Sequence, residues 1–118
     1  MTTQNVVNGS KVARIRALND QLRQNFSGPN GKVMLTSSVT ELPEPVRFKL
    51  VHDIQNFNDW SNDNDPHGEH DMCFVEVEGE RYWAKIDYYD RDVRYGADDP
   101  SDAAQTTRIM TIGHASEY

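Results

Sequence analysis

The sequence predicts an α+β protein in which two amphipathic helices cover one face of an antiparallel sheet of about four strands, in the order α-β-α-β-β-β. Three observations lead to this prediction. Apolar residues recur every three or four positions in two segments of the first half, which is the helical period. Apolar and polar residues alternate in two adjacent segments of the second half, as they do in half-buried strands. The chain shows no repeated β-α-β pattern of the kind that builds a parallel sheet.

The first predicted element is a helix over residues 10–26, with Ser10 as its N-cap. Its apolar stripe is formed by Val12, Ile15, Leu18, Leu22 and Phe26. Gly and Pro in residues 27–31 end the helix, because proline lacks the backbone donor that would continue it. Residues 1–9 show no periodicity and predict a flexible N-terminal arm, which leaves residues 10–118 as a single domain.

A strand and a second helix follow. Residues 32–36 form a short apolar run between turn signals, which favours a strand. Residues 37–42 predict a turn or one short helical turn. The second helix is predicted over residues 44–57, because proline at position 45 is tolerated in a first turn and one face is apolar. That face is formed by Val46, Leu50, Ile54 and Phe57.

The second half predicts the rest of the sheet. Residues 72–78 and 81–89 alternate on either side of a Glu-Gly-Glu turn, which indicates an antiparallel hairpin with one buried face. A polar connection over residues 90–105 leads to a final strand over residues 106–112, which is rich in β-branched residues. We expect an aromatic core formed by Phe26, Phe48, Phe57, Phe74, Trp83 and some of the five tyrosines.

The single cysteine and the hydropathy pattern indicate the cellular compartment of the protein. Cys73 cannot form an internal disulfide, and its apolar neighbours predict a small buried side chain. No stretch approaches the roughly 18 apolar residues of a membrane span. The polar start lacks the basic and apolar regions of a signal peptide. We therefore expect a cytoplasmic protein without a membrane partner.

The charge of the chain is unevenly distributed. Residues 59–102 contain fourteen acids and four bases, a balance of −10, whereas the rest of the chain carries +3 and the total is −7. Such a segment repels a phosphate backbone, which argues against direct nucleic-acid binding, and suits a protein partner with a basic nucleic-acid-binding surface. The predicted partner-binding residues are Asp63, Asp65, Glu69, Asp71, Asp87, Asp90, Asp92, Asp98 and Asp99.

Residues 58–71 are rich in oxygen and imidazole groups and allow two interpretations. The first is a zinc, iron or manganese site formed by His67, Glu69, His70 and Asp71, which with Asp87 and Asp90 could support hydrolysis. The second is a structural loop whose Asp and Asn side chains bind backbone groups. A calcium loop is excluded, because Phe74 stands where the bidentate glutamate would be required.

Several segments resemble a known family. They are Asn-Asp-Pro-His-Gly-Glu-His-Asp at 64–71, Lys-Ile-Asp-Tyr-Tyr-Asp at 85–90, Ile-Arg-Ala-Leu-Asn-Asp at 15–20, Arg-Tyr-Gly at 94–96, Asp-Pro at 99–100, and the ending that starts with Thr-Arg at 107–108. Over residues 12–118 the chain is similar to an uncharacterised domain-of-unknown-function family of small proteobacterial, plasmid and phage proteins. Cys73 departs from this pattern, since a small residue, usually glycine, is expected there.

The resemblance implies cargo of a mobile element, where small acidic proteins often block host defence nucleases. Together with the charge distribution, it favours a non-catalytic binding protein, an anti-CRISPR or anti-restriction inhibitor whose acidic face mimics nucleic acid. The alternative is a small metal-dependent hydrolase or metal-binding accessory protein that uses residues 67–71. No phosphate-binding loop, Gly-x-Ser-x-Gly elbow or Cys-x-x-Cys pair is present, so no catalytic residue is assigned and no cofactor is expected. The oligomeric state is left open.

Overall fold

The computed structural model describes the backbone of residues 3–118 and the side chains from residue 11 onward. The predicted α+β class is confirmed. The helices are α1 (Thr3–Asn25), α2 (Ser37–Thr40) and α3 (Glu44–Gln55), the strands are β1 (Gly31–Leu35), β2 (Met72–Val77), β3 (Glu80–Tyr89) and β4 (Thr107–His114), and 3-10 turns cover Ala103–Gln105 and Ala115–Glu117. Among the described residues, no helix combines the length and the apolar character that crossing a membrane would require.

The four strands form one mixed sheet in the order β1-β4-β3-β2. The predicted hairpin is confirmed, because β2 and β3 pair antiparallel, and β3 continues antiparallel to β4. The expectation of a wholly antiparallel sheet was wrong at one pair: β1 runs parallel to β4, from Gly31 opposite Arg108 to Leu35 opposite Ile112. The physical reason is that α2, α3 and the β2–β3 hairpin lie between these strands in the chain, so no tight turn fixes the relative direction of β1 and β4.

Helix α1 begins earlier than predicted. Its backbone is helical from Thr3, so Ser10 is an interior residue of the helix and not its N-cap. Residues 1–2 and the side chains of residues 3–10 lie outside the described part of the structure, and the arm proposed for residues 1–9 therefore stays a prediction.

The helices cover one face of the sheet and form the core there. Leu22 of α1 and Leu50 and Ile54 of α3 are buried against Met110 and Ile112 of β4. The alternation predicted for the hairpin is confirmed, since the core also takes in one face of both its strands, with Cys73, Val77, Tyr82, Ala84 and Ile86.

Phe48 does not belong to the core, which corrects the predicted aromatic set. Its side chain is 61% exposed. Because successive helical residues are rotated by about 100°, Phe48 lies on the face of α3 opposite to Leu50 and Val46. Trp83 is buried as predicted, but on the other face of the sheet, where its indole lies over Gly113 of the neighbouring strand.

Candidate functional site

The loop between α3 and β2 is folded by its own polar side chains. We call residues 58–71 the clasp loop. Ser61 N–H donates to Asn64 Oδ1 at 2.8 Å, and Asn64 Nδ2 donates to the Asp59 carbonyl at 2.7 Å. Asp65 Oδ1 accepts the His70 N–H at 3.0 Å, which helps to hold His70 at a φ of 55°. These are the bonds of the structural interpretation, in which Asp and Asn side chains replace regular backbone pairing.

The clasp loop contributes to a buried polar network between α1 and the core-facing side of the sheet. Four of the segments that carry the family resemblance, 15–20, 64–71, 85–90 and 107–108, meet in this network, although they are far apart along the chain. Its members are Asn19, Asp20, Arg23, Asp65, Glu69, His70, Tyr88 and Arg108.

Tyr88 and Asn19 connect the sheet to helix α1. The Tyr88 hydroxyl donates to Glu69 Oε1 at 2.6 Å and accepts from Asn19 Nδ2 at 2.8 Å. Asn19 Nδ2 also donates to the Glu69 carbonyl at 3.0 Å, and Asn19 Oδ1 accepts from Arg108 Nε at 3.0 Å. Arg108 also donates from Nη2 to the Pro100 carbonyl. Through its own bonds, the fully buried Asn19 connects α1 to the clasp loop, β3 and β4.

His70 forms the second half of the network. Its Nδ1 lies 2.8 Å from Asp20 Oδ1, and its Nε2 lies 3.5 Å from Asp65 Oδ2. The imidazole stacks on Trp60, with a centroid separation of 4.1 Å and an interplanar angle of 6°. Asp20 also accepts from Arg23 Nη2 at 2.9 Å. Both imidazole nitrogens of His70 therefore face carboxylates, and its ring packs on Trp60.

Two arginines are almost fully buried in this network. Arg23 and Arg108 are each 2% exposed, and burial lowers the pKa of Arg108. Within the described part of the chain, Arg23 Nε and Nη1 and Arg108 Nη1 have no hydrogen-bond acceptor. Their guanidinium groups lie over aromatic rings instead, Arg23 at 4.9 Å from Trp60 and Arg108 at 5.2 Å from Tyr88. Cation–π contact and nearby carboxylates compensate part of the desolvation cost.

The four candidate metal ligands are not brought together as one set. His67 is exposed, the Glu69 carboxylate accepts from Tyr88, and His70 lies between Asp20 and Asp65. Asp71 is half-buried, and burial raises its pKa. Among the residues with described side chains, no group of three or more His, Cys, Asp or Glu residues is arranged to hold a metal ion.

The predicted acidic residues fall into separate places. Asp65, Glu69 and Asp71 lie in or beside the buried network, and Asp63 is exposed on the clasp loop. Asp87 lies on the face of the sheet that the helices leave uncovered, and its Oδ1 is 3.5 Å from Lys85 Nζ. The remaining four meet in one place, which they share with Asp102. We call this cavity of about 450 Å³ the acidic pocket; it is lined by Asp90, Arg91, Asp92, Asp98, Asp99, Asp102 and Gln105.

Local hydrogen bonds shape the acidic pocket. Asp90 N–H donates to the Tyr95 carbonyl at 2.9 Å, and Asp90 Oδ1 accepts from the Arg94 N–H at 3.0 Å, which closes the turn on one side. Asp99 Oδ1 accepts from the Ser101 hydroxyl at 2.6 Å and from the Ser101 N–H at 3.1 Å. These bonds lower the pKa of Asp99 and keep its carboxylate charged.

The turn that closes the acidic pocket also carries exposed apolar side chains. Tyr95 is 75% exposed, and Val93 is 41% exposed with a φ of 57°. A β-branched residue in the left-handed region is uncommon, because its Cβ crowds the backbone. The acidic pocket is thus bordered by two apolar side chains on a turn with a fixed shape.

Sequence reasoning missed most of the buried network. Asn19, Asp20 and Arg108 were noticed only as part of the family resemblance. Arg108 offered one usable signal, since it alternates with the core residues Met110 and Ile112, whereas Arg23 lies beside the apolar stripe of α1 and offered none. Asp102 was counted in the acidic segment but not assigned to the partner-binding set.

A comparison with known protein families identifies the family of this chain. The model of the family described as Protein of unknown function (DUF3768) matches residues 35–117. The matched residues include the clasp loop, the hairpin and the acidic pocket, but not α1. No curated protein and no solved structure matches the chain.

Proposed function

The chain belongs to the DUF3768 family, whose function is unknown, and from its geometry we propose that it is a non-catalytic protein that binds a basic partner through the acidic pocket. One observation carries this proposal. Five aspartates line a single open cavity of about 450 Å³, and the one base among them, Arg91, donates its Nη1 to the Ala104 carbonyl. Lys11 Nζ also lies 3.6 Å from Asp99 Oδ2, so five carboxylates meet two basic side chains and the pocket keeps a balance of −3.

The charge of the pocket defines the partner's chemistry. Closely spaced carboxylates present acceptor oxygens and negative potential, as the phosphates of nucleic acid do, and they attract a cationic groove over several ångströms. They repel nucleic acid itself, so the partner is a protein. We assign the partner to the class of host defence complexes, CRISPR or restriction, with a basic nucleic-acid-binding surface. This choice extends the expectation of a mobile-element origin, and that origin and a cytoplasmic location are both parts of the proposal.

The exposed apolar residues beside the pocket support a protein partner as well. Tyr95 and Val93 offer contact area that a purely solubilising charged surface would not provide. Exposed tyrosines are common anchors at protein interfaces, because they bury a large area at a low cost in conformational entropy.

The alternative of a metal-dependent hydrolase has no comparable support. That reaction would use the Glu69 carboxylate and the His70 imidazole. In the structure the Glu69 carboxylate accepts a hydrogen bond from Tyr88, and the His70 imidazole lies between Asp20 and Asp65. Of the four remaining candidates, His67 is exposed and Asp71 is half-buried, whereas Asp87 and Asp90 line different cavities.

The proposal is tested by competition with DNA. Purified CRISPR and restriction complexes are loaded with fluorescent duplex, and displacement by the protein is followed as a fall in anisotropy. Asp92 and Asp98 make no side-chain hydrogen bond among the described residues, so Asp92→Asn with Asp98→Asn changes charge without breaking the turn. We expect at least about tenfold weaker displacement by this double variant, since each tenfold step is about 1.4 kcal/mol.

The matched control removes the same charge elsewhere. Glu41→Gln with Glu76→Gln neutralises two exposed glutamates outside the pocket, and we expect it to displace DNA like the wild-type protein. Raising the salt concentration from about 0.05 to about 0.5 M should weaken binding steeply, because exposed charges are screened. Equal loss in both double variants, insensitivity to salt, or no displacement from any complex would contradict the proposal.

A further inference from the structure

The face of the sheet that the helices leave uncovered holds a second cavity. It has a volume of about 450 Å³ and is lined by Trp83, Lys85, Asp87, Thr111, Glu117 and Tyr118. This volume lies within the range of ligand-binding pockets, and an aromatic lining with a few polar groups is their usual composition. We call it the open-face cavity. It shares no residue with the acidic pocket.

Two aromatic rings form a corner in this cavity. Trp83 and Tyr118 have centroids 5.7 Å apart and planes inclined at 74°, and the Phe74 centroid lies 6.0 Å from that of Tyr118. Trp83 is fixed, because its Nε1 donates to the His114 carbonyl at 2.8 Å and its indole lies over Gly113. The Tyr118 side chain is 72% exposed, so a ring face remains available to a ligand.

The charged side chains around the two aromatic rings determine whether the cavity favours a cation or an anion. Two carboxylates, Asp87 and Glu117, oppose one ammonium group, Lys85, which leaves the cavity with a balance of −1. Glu117 Oε1 accepts from the His114 N–H at 2.8 Å and from the Thr36 hydroxyl at 2.7 Å, and these bonds lower its pKa and keep it ionised. Among the described side chains, Asp87 pairs only with Lys85, at 3.5 Å, and Asp87 and Lys85 are partly exposed, at 39% and 46%.

Aromatic faces beside carboxylates are the arrangement that binds organic cations, because the negative ring face and the carboxylate both attract positive charge. The same face of the sheet already holds such a contact, since the Arg81 guanidinium lies 4.3 Å from the centre of Phe74. A phosphate or carboxylate ligand would meet two like charges and only one ammonium group.

We propose that the open-face cavity binds an organic cation, a guanidinium or alkylammonium group that stacks against Tyr118 and Trp83 and pairs with Asp87. The bound cation replaces the Lys85 ammonium group as the ion-pair partner of Asp87. The cation can be a free small molecule or an arginine or lysine side chain on a peptide, and the chemistry recognised is the same. This proposal stands independently of the acidic pocket.

The test uses the full chain and defined probes. N-acetyl-arginine amide is titrated against 15N-labelled protein, with N-acetyl-citrulline amide as a neutral probe of the same shape. The indole signal of Trp83 is followed, after Trp60→Phe has identified the other of the two indoles. We expect saturable shifts at Trp83 with the arginine probe and not with the citrulline probe. A peptide with one arginine between neutral residues distinguishes the sources, because it binds more tightly only if the site recognises a side chain in a peptide.

Four variants make the test specific. Asp87→Asn and Tyr118→Ala should each weaken the arginine probe about threefold or more, the size expected for one exposed cation–π or charge contact. Tyr118→Phe should bind like wild type, since the ring is kept. Lys85→Gln should bind the cation more tightly, because a competing positive charge is removed.

The opposite result for Lys85→Gln overturns the proposal. If that variant weakens binding of the arginine probe, Lys85 does not compete with the cation, and if adenosine monophosphate shifts Trp83 more than the arginine probe does, the cavity does not select cations. Equal shifts with citrulline would show simple apolar contact, and no saturable shift would show that the cavity is not a site. Circular dichroism of each variant separates loss of binding from loss of folding.

Discussion

The hydroxyl of Tyr88 donates a hydrogen bond to Glu69 Oε1 at 2.6 Å, which joins the two sequence motifs that are most distinctive in this chain. Burial, together with this bond, raises the pKa of Tyr88, so the phenol keeps its proton and remains a donor at every physiological pH. Asn19 donates to the same hydroxyl and extends the connection to α1. The bond therefore stabilises the contact between the clasp loop, the sheet and the first helix.

Removing the Tyr88 hydroxyl should destabilise the protein. Tyr88→Phe leaves the Glu69 carboxylate without a donor and the Asn19 amide without one acceptor, and we expect a loss of about 1–3 kcal/mol in the free energy of unfolding. Urea unfolding measures this loss. Tyr89→Phe is the matched control, because the Tyr89 side chain makes no hydrogen bond among the described residues, and it should change stability by less than about 0.5 kcal/mol. Equal losses would contradict a role for the bond.

Adding a methyl group at Gly113 should disturb the open face. A Cβ at Gly113 would lie well inside van der Waals contact with the Trp83 indole, which must then move. We expect Gly113→Ala to cost about 1–3 kcal/mol, the usual range for overpacking, and to change the near-ultraviolet circular dichroism of Trp83. In Gly96→Ala the nearest atom, the Tyr88 carbonyl oxygen, is 3.9 Å away, so this control should be close to neutral. A neutral Gly113→Ala would show that the ring is not fixed there.

Cys73 should be unreactive while the protein is folded. The side chain is 2% exposed, and burial raises the pKa of its thiol to about 11. Because only the thiolate attacks, we expect labelling by iodoacetamide near neutral pH to be at least roughly 100-fold slower than for a free thiol. Urea should restore reactivity in parallel with global unfolding, and labelling should be complete once the chain is unfolded. Rapid labelling of the native protein would contradict the burial of Cys73.

Asp71 should make stability depend on pH in a direction opposite to most aspartates. Burial raises the pKa of Asp71 in the folded protein. Its ionised carboxylate therefore disfavours folding once the pH exceeds the pKa that Asp71 has in the unfolded chain. Its contribution is most favourable at low pH and is lost as the pH rises through the folded pKa. We expect Asp71→Asn to raise the melting temperature near pH 7 and to have little effect near pH 3. Asp63→Asn, an exposed control in the same loop, should show no such difference; a variant Asp71→Asn that is less stable at pH 7 would contradict the sign.

Local patterns were sufficient for most of the secondary structure. The hairpin was predicted within two residues at each end, and the second helix at its first residue, because alternation and helical periodicity are written into consecutive residues. The start of α1 was predicted too late. Phe48 was assigned to the core because it is aromatic, although its position between Val46 and Leu50 places it on the opposite face of the helix.

The direction of β1 depended on contacts that no local pattern encodes. Residues 32–36 read as a strand from composition alone, but the partner of that strand lies at the other end of the chain. A strand without a tight turn to its neighbour can pair in either direction, and packing of the helices decides between them.

The sequence by itself determined the class of fold, the uneven charge, and the two polar motifs. Only the tertiary structure separated the nine predicted acids, because it buried Asp65 and Glu69 in a network with Asn19 and Arg108 and gathered four others around the acidic pocket. The reason is physical: charge and periodicity are properties of neighbouring residues, whereas a buried hydrogen bond or a shared cavity depends on which distant side chains the folded backbone brings within a few ångströms.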